Sequence, residues 1–319
     1  MVISGRDADQ YAEQKKVAQQ KTIRKAGSLE GVGVHSGQNV NVTFKPAPIN
    51  TGIVFERTDS GASAQIRALW HQVSDTRMST QLRNADGVTI AMVEHLMAAL
   101  AGLEVDNLYI EVSGPEMPVL DGSSHIYADA LGALGLVTQD ANRLRYKILK
   151  PVEVRQGNKY VRLEPAVKTT YDFSFDFFGG RDGVPAQTMS FDWTPAGFLR
   201  EISKARTFGF FEDGQKLQAM GLAKGASLEN TLVLHEGKVM NAGGERLRNE
   251  CVRHKILDAV GDMALAGAPI LGAYASHNGG HEMNNQLLRT LFADATAWRE
   301  EVIPQEVWQT WQPFASIAI

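Results

Sequence analysis

The stretch VRHKILDAVGD, residues 252–262, places His254, Asp258 and Asp262 four residues apart, while Ile256, Leu257, Val260 and Met263 fall at core-facing helical positions. Side chains four apart lie above one another on one helix face, so the three polar groups form a column. Such a column is ordinarily a solvated face. The chemical alternative is a metal held by His254 and Asp258 from successive turns, with an imidazole nitrogen and a carboxylate oxygen converging on a point about 2 Å from each. Two ligands do not make a zinc site, so a third must come from elsewhere in the chain.

Among the eight histidines, His95 lies in an otherwise apolar helical stretch, VEHLMAAL, directly after Glu94. A lone histidine there would more often be a hydrogen-bonded core residue. The glutamate beside it changes the balance, because burying a carboxylate against apolar surface is costly without a cation or strong donors. Zinc hydrolases need three protein ligands and a carboxylate base near the metal-bound water. Glu94 and His95 would point about 100° apart and flank one site, which supplies the missing parts. A second cluster, SHNGGHEMNNQLL (276–288), opens a predicted helix at His281. In isolation it reads as a solvent loop with capping residues. Near a metal, His281 can stay protonated if a carboxylate pairs with it, and Asp262 is a candidate. Such an imidazolium stabilises developing negative charge and can protonate a leaving amine. The chain has no HExxH, and GVGVHSG (31–37) lacks the glycine spacing and following helix of a dinucleotide loop, so it is expected to be a turn between strands.

The elements that must position these groups can be read coarsely. QNVNVTF alternates Val40, Val42 and Phe44, GIVFER and NLYIEV read as strands, and IAMVEHLMAALAGL (90–103) is a predicted helix closing at Gly102. YADALGALGLV (127–137) is helical in pattern. The polar run TQDANRLRY (138–146) suggests a domain boundary. Beyond it, KPVEVR and KYVRLEP flank a QGN turn as a hairpin, and TYDFSFDF (170–177) alternates aromatics. Helices are expected near 213–222, at 252–265 and at 281–293, with ILGAYAS as a strand. Strands and helices mix without strict βαβ alternation, so the expected class is α+β, and no fixed-period repeat is visible.

At 319 residues the chain is long enough for two cores, because single cores stop growing near about 250–300 residues. It is 44% hydrophobic and 21% charged with a net charge of −4, and it carries no basic tract suited to nucleic acid. Cys251 is the single cysteine, so neither an internal disulfide nor a Cys-rich zinc module is possible, and a reducing cytoplasm is expected. No apolar run reaches the ~18 residues of a membrane span.

Taken in order, MVEHLMAALAGLEVDN, PVLDGSS, KARTFGF, VRHKILDAVGD and GGHEMNNQLLR resemble the UDP-3-O-acyl-N-acetylglucosamine deacetylases, the zinc enzymes of the committed step of lipid A synthesis. The resemblance runs from about residue 20 to about residue 295. It implies His95, His254 and Asp258 as the zinc ligands, Glu94 as general base and His281 as the protonated histidine, oriented by Asp262. It also implies that Thr207 bonds the oxyanion, which spacing alone would leave as an ordinary loop or strand threonine. Phe208 and Phe210 match residues flanking the sugar pocket, Lys255 a substrate-facing lysine, and Lys159 and Phe177 contacts to the nucleotide end. Ser79 stands where some members carry a cysteine near the metal, and Asn278 replaces a basic residue expected near the nucleotide.

The implied fold is two similar two-layer α/β sandwich domains packed face to face with the active site between them. The expected boundaries are a flexible extension at 1–20, an N-terminal domain at 21–143, a C-terminal domain with an acyl-chain passage at 144–297, and a tail at 298–319. The implied cofactor is one Zn2+ per chain, with Fe2+ as the alternative in the cell. The implied partner is a UDP-sugar bearing a fatty acyl chain. No nucleic acid is expected, and the protein is expected to be a cytoplasmic monomer in transient contact with the inner-membrane surface. Two rivals remain at this level: a zinc amidohydrolase for another sugar, such as one of peptidoglycan, and a non-catalytic binding protein with structural zinc. Structural sites usually take four protein ligands, whereas three are evident here.

Overall fold

Alternation along Asn39–Pro46 buries Val40, Val42 and Phe44 and leaves Asn39 and Asn41 in solvent, so this strand lies with one face on a core. It belongs to a five-stranded sheet of order Gly27–Val32, Asn39–Pro46, Leu108–Val112, Ile53–Arg57, Gln65–Arg67. Within it only Ile53–Arg57 and Leu108–Val112 run parallel. A parallel pair needs a crossover, and here the crossover contains a helix, α1 (Glu94–Leu103). A second helix, α2 (His125–Ala133), follows the central strand.

The second half repeats this plan strand for strand. Its sheet has the order Val152–Gln156, Lys159–Glu164, Ala273–His277, Thr170–Phe175, Gln187–Asp192, again with one parallel pair at the centre. Two short helices, α3 (Pro195–Glu201) and α4 (Phe211–Ala219), come next in the chain. The central strand is preceded by α5 (Glu250–Ala264) and followed by α6 (His281–Ala293). The computed structural model describes residues 17–61, 64–176 and 184–305, and in them the class is α+β, two helix-on-sheet layers meeting through their helices.

Each half inserts a three-stranded sheet between its fourth strand and its crossover helix. In the first half this is Val73–Asp75, Gln81–Arg83 and Thr89–Ile90; in the second it is Phe208–Phe210, Leu232–His235 and Lys238–Val239. Both insertions end beside the junction of α1 and α5. The two helices approach closely there because Gly261 has no side chain: a Cβ at that position would stand 2.0 Å from the Glu94 carbonyl oxygen.

Some expectations need correction. The polar run at 138–146, expected as a domain boundary, is almost entirely strand. Leu136–Asn142 pairs with Gln19–Ile23, and Leu144–Ile148 pairs with Ile270–Leu271 and Trp298–Val302. The pairing partner changes at Arg143, which is buried against Glu104 at 2.6 Å and Asp106 at 2.7 Å. The last residues of the expected extension and the first of the expected tail are therefore strands, and Val17 and Pro304 form an isolated bridge. Helix α1 starts at Glu94, not near residue 90, and ends past Gly102 at Glu104, which takes the left-handed conformation with φ 59°. Gly102 is kept small by the Phe198 ring, which a Cβ would meet at 2.4 Å. Among the described residues no helix is long and apolar enough to cross a membrane.

Candidate metal centre and active site

The N-terminus of α1 and the middle of α5 bring His95, His254 and Asp258 together, with one ligating atom of each within 4.8 Å of the others. All three are at most 5% exposed, which excludes the solvated-face alternative for the column on α5. His254 Nδ1 lies 3.0 Å from the Ala205 carbonyl oxygen, which can only accept, so Nδ1 carries the proton. Its Nε2 therefore faces Asp258 Oδ1, at 3.2 Å. His95 Nε2 stands 3.8 Å from the same oxygen, and the two imidazoles meet edge to face at 4.9 Å. Burial pulls the His95 ring down to about 3, with the neighbouring His254 adding to the effect, so it is a neutral nitrogen donor at ordinary pH.

Asp258 carries the strongest sign of a cation. Burial opposes its charged form, but His254 and Lys255 outweigh burial and hold its carboxyl well below the usual range. Lys255 Nζ takes Oδ2 at 2.9 Å, whereas Oδ1 is buried with no hydrogen-bond donor. A buried anionic oxygen without a donor, aimed at two imidazole nitrogens, fits a divalent metal bound by two His and one Asp.

Glu94, His281 and Asp262 surround this cluster. Burial pushes the Glu94 carboxyl up to about 7, partly countered by the positive His281. Its Oε2 accepts the Thr80 backbone N–H at 2.9 Å. Burial opposes the charged form of His281, yet Asp262 overrides it and raises the ring to about 9. His281 Nδ1 donates to Asp262 Oδ2 at 2.8 Å; Asn284 Nδ2 donates to that oxygen at 2.8 Å, and the Thr80 hydroxyl donates to Oδ1 at 2.6 Å. Tyr274 in turn donates to Asn284 Oδ1 at 2.7 Å.

The second insertion supplies the other wall. Arg206 is clamped to the fully buried Glu250 at the start of α5, at 2.9 Å from Nε to Oε1. That clamp holds residues 205–208 along His254, with Phe208 edge-on to its ring at 6.2 Å. The Lys255 ammonium lies 5.6 Å from the Phe208 ring centroid. Thr207 lies between these contacts, its backbone N–H bonded to the Gly122 carbonyl at 2.7 Å. Phe210 is buried in the same strand. Lys159 lies elsewhere, at the hairpin opposite Gln156 in the second sheet, and Phe177 falls outside the described residues. Asn278 is buried and donates to Asp176 Oδ1 at 2.6 Å. Ser79 is buried beside Thr80. The roles of Thr80, the Ala205 carbonyl and Tyr274 carry no signal in the sequence. Asn284 does, in the GGHEMNN cluster, but not its partner.

Comparison with known proteins identifies a family. The family model described as UDP-3-O-acyl N-acetylglycosamine deacetylase matches residues 20–293. The UDP-3-O-acyl-N-acetylglucosamine deacetylase of Shewanella halifaxensis (strain HAW-EB4) is 44% identical over 279 residues, covering 88% of this chain and 91% of that protein. The enzyme of the same name from Shewanella loihica (strain ATCC BAA-1088 / PV-4) is 44% identical over 291 residues, covering 89% of this chain and 95% of that protein. A match that covers most of both halves shows that the chain belongs to the UDP-3-O-acyl N-acetylglycosamine deacetylase family.

Proposed function

We infer that this chain removes the N-acetyl group from UDP-3-O-((R)-3-hydroxyacyl)-N-acetylglucosamine, giving acetate and the free-amine UDP-3-O-((R)-3-hydroxyacyl)-glucosamine, the committed step of lipid A biosynthesis. The observation that carries this is the donor-less Asp258 Oδ1 facing His95 and His254, with Glu94 alongside. The family is metal-dependent, and the metal in our proposal is zinc, one per chain, with iron as the alternative. Held by His95, His254 and Asp258, the ion would acidify water and polarise the acetamide carbonyl.

The residues then divide the work. Glu94, with its carboxyl near neutrality, takes a proton from the attacking water as oxygen adds to the acetamide carbon. His281, charged because of Asp262, and the Thr207 hydroxyl stabilise the oxyanion. The C–N bond breaks as Glu94 or His281 gives a proton to the leaving amine, and the carbonyl carbon leaves as acetate. Lys255, Phe208 and Phe210 line the substrate side, while Lys159 and Phe177 are assigned to the nucleotide end. We place the enzyme in the cytoplasm as a monomer of two domains divided between residues 143 and 144, meeting the inner-membrane surface only through its acylated substrate.

The test is acetate release from the 3-O-hydroxyacyl substrate with and without a chelator, beside UDP-N-acetylglucosamine lacking the acyl chain. Chelator-sensitive release that requires the acyl chain is expected. Release that ignores the acyl chain would point to another sugar substrate, and no release despite bound metal would refute the assignment.

A further inference from the structure

Thr80 is 2% exposed and touches the active site from both sides of the molecule. Its backbone is fixed to the first half. The Thr80 N–H donates to Glu94 Oε2 at 2.9 Å, and the Thr80 carbonyl accepts the Val93 N–H at 3.3 Å, at the start of α1. Strand Gln81–Arg83 follows at once and holds the segment in its own small sheet. The hydroxyl points the other way and donates to Asp262 Oδ1 on α5 at 2.6 Å, a short bond to a carboxylate and therefore a strong one. Asp262 has its other oxygen shared by His281 and Asn284. Three donors from two separate segments, Thr80 and the start of α6, thus fix the carboxylate plane, and His281 follows that plane through Nδ1.

We propose that Thr80 is a positioning residue that locks the base and the acid into one frame: its backbone sets the Glu94 carboxylate, and its hydroxyl sets His281 through Asp262. This rests on the deacetylase function proposed above and adds a cross-link between the halves to it. Without the hydroxyl, Asp262 Oδ1 loses its donor in a buried place and the carboxylate turns toward its remaining partners. The His281 ring turns with it, away from where the oxyanion and leaving amine must form. The backbone bonds to Glu94 and Val93 do not depend on the side chain, so Glu94 stays in place.

The substitution Thr80→Val removes the hydroxyl and keeps the branched shape; Thr80→Ser keeps the hydroxyl and removes the methyl. Misplacing a reacting group by a fraction of an ångström to an ångström lowers turnover by roughly 10- to 10²-fold. Thr80→Val is expected to lose kcat on that scale, with KM within about twofold and metal content by elemental analysis unchanged. Thr80→Ser should recover most of the kcat. The downfield proton resonance of His281 Nδ1–H, assigned through its loss in His281→Asn, should move in Thr80→Val and return in Thr80→Ser. If Thr80→Val does not fold, as judged by its thermal transition, Thr80→Ala carries the same comparison.

Unchanged kcat and an unmoved resonance in Thr80→Val would overturn the proposal. So would a loss shared equally by Thr80→Ser, which would assign the effect to methyl packing, or a loss that follows missing metal. If the unaltered protein releases no acetate, the deacetylase function fails, and the His281 resonance alone decides the positioning claim.

Discussion

His281 is held protonated chiefly by the buried Asp262 carboxylate, with Asp258 and Glu94 adding to it, so Asp262→Asn should move its titration. The ring is raised from 6.5 to about 9 although burial alone would lower it. At 1.36 kcal/mol per tenfold, that rise corresponds to about 3 kcal/mol in favour of the charged ring. Removing the Asp262 charge leaves burial opposed only by the smaller effects of Asp258 and Glu94, and the ring should then titrate at or below its ordinary value. At pH 7.5 the imidazolium would fall from nearly complete to about one molecule in ten or fewer. If the charged ring is required, kcat at that pH falls at least about tenfold from protonation alone. The same shift has a sign for stability. Because the folded-state value lies above the unfolded one, the contribution is fully present below about pH 6.5 and is lost as pH rises through about 9. A bound metal adds positive charge beside the ring and lowers both values, so the comparison is between the two proteins at equal metal content. The assays are the basic limb of the kcat–pH profile and the His281 ring resonances followed by NMR. A basic limb that stays in place in Asp262→Asn would refute the assignment of that limb to His281.

Three further outcomes follow from the same geometry. Glu94→Ala should keep its metal by elemental analysis yet lose on the order of 10² or more in kcat, and near-normal turnover would remove Glu94 as the base. Asp258→Ala should lose metal, because the oxygen that lacks any other donor goes with it; stoichiometric zinc in that variant would contradict the ligand set. Gly261→Ala would place a methyl 2.0 Å from the Glu94 carbonyl oxygen, forcing α1 and α5 apart. It should cost about 1–3 kcal/mol in denaturant unfolding and reduce activity as well, and an unchanged midpoint would mean that the helices can separate freely.

The column on α5 was legible because helical periodicity is local: the core stripe of Ile256, Leu257 and Val260 dictates which face His254 and Asp258 share. His95 was legible for a different reason, since a glutamate and a histidine in an apolar helix demand a compensating partner. Helix α1 nonetheless begins and ends at other residues than its pattern suggests. Gly102 is small to admit Phe198, and Glu104 ends the helix with its carboxylate bonded to Lys21 and Arg143. Those causes lie 39 residues or more away in the chain, or in the other half, where no local window of sequence reaches. The duplication was implied by the family resemblance but not by any repeat in the residues, for a related reason. A sheet order and a crossover can be kept while every side chain changes, and what repeats here is strand pairing, not residue type. Thr80 carried no signal at all, since a threonine before a short strand has no unusual spacing, and its importance depends on two helices that meet only in three dimensions.

Duplication also explains why the site lies where it does. Each half alone exposes one apolar helix face on its crossover helix, α1 or α5, and burying one against the other removes both from water. Polar groups caught in that junction must be satisfied, and each half satisfies its own only in part, Asp262 taking one donor from Thr80 of the other half. Glu94 and His95 come from α1, while His254, Asp258 and Asp262 come from α5. Gly261 sets the separation by letting the α1 backbone touch α5, which brings His95 within 3.8 Å of Asp258. The insertions then deliver what the helices lack: Thr80 from the first half, and from the second the Ala205 carbonyl that fixes the His254 tautomer. A metal at this junction would therefore join the halves as well as activate water, so its removal should lower the unfolding midpoint of the whole chain as one transition. Calorimetry with and without chelator measures this, and a chelated protein that unfolds at an unchanged temperature would mean that the apolar helix junction holds the two halves together by itself.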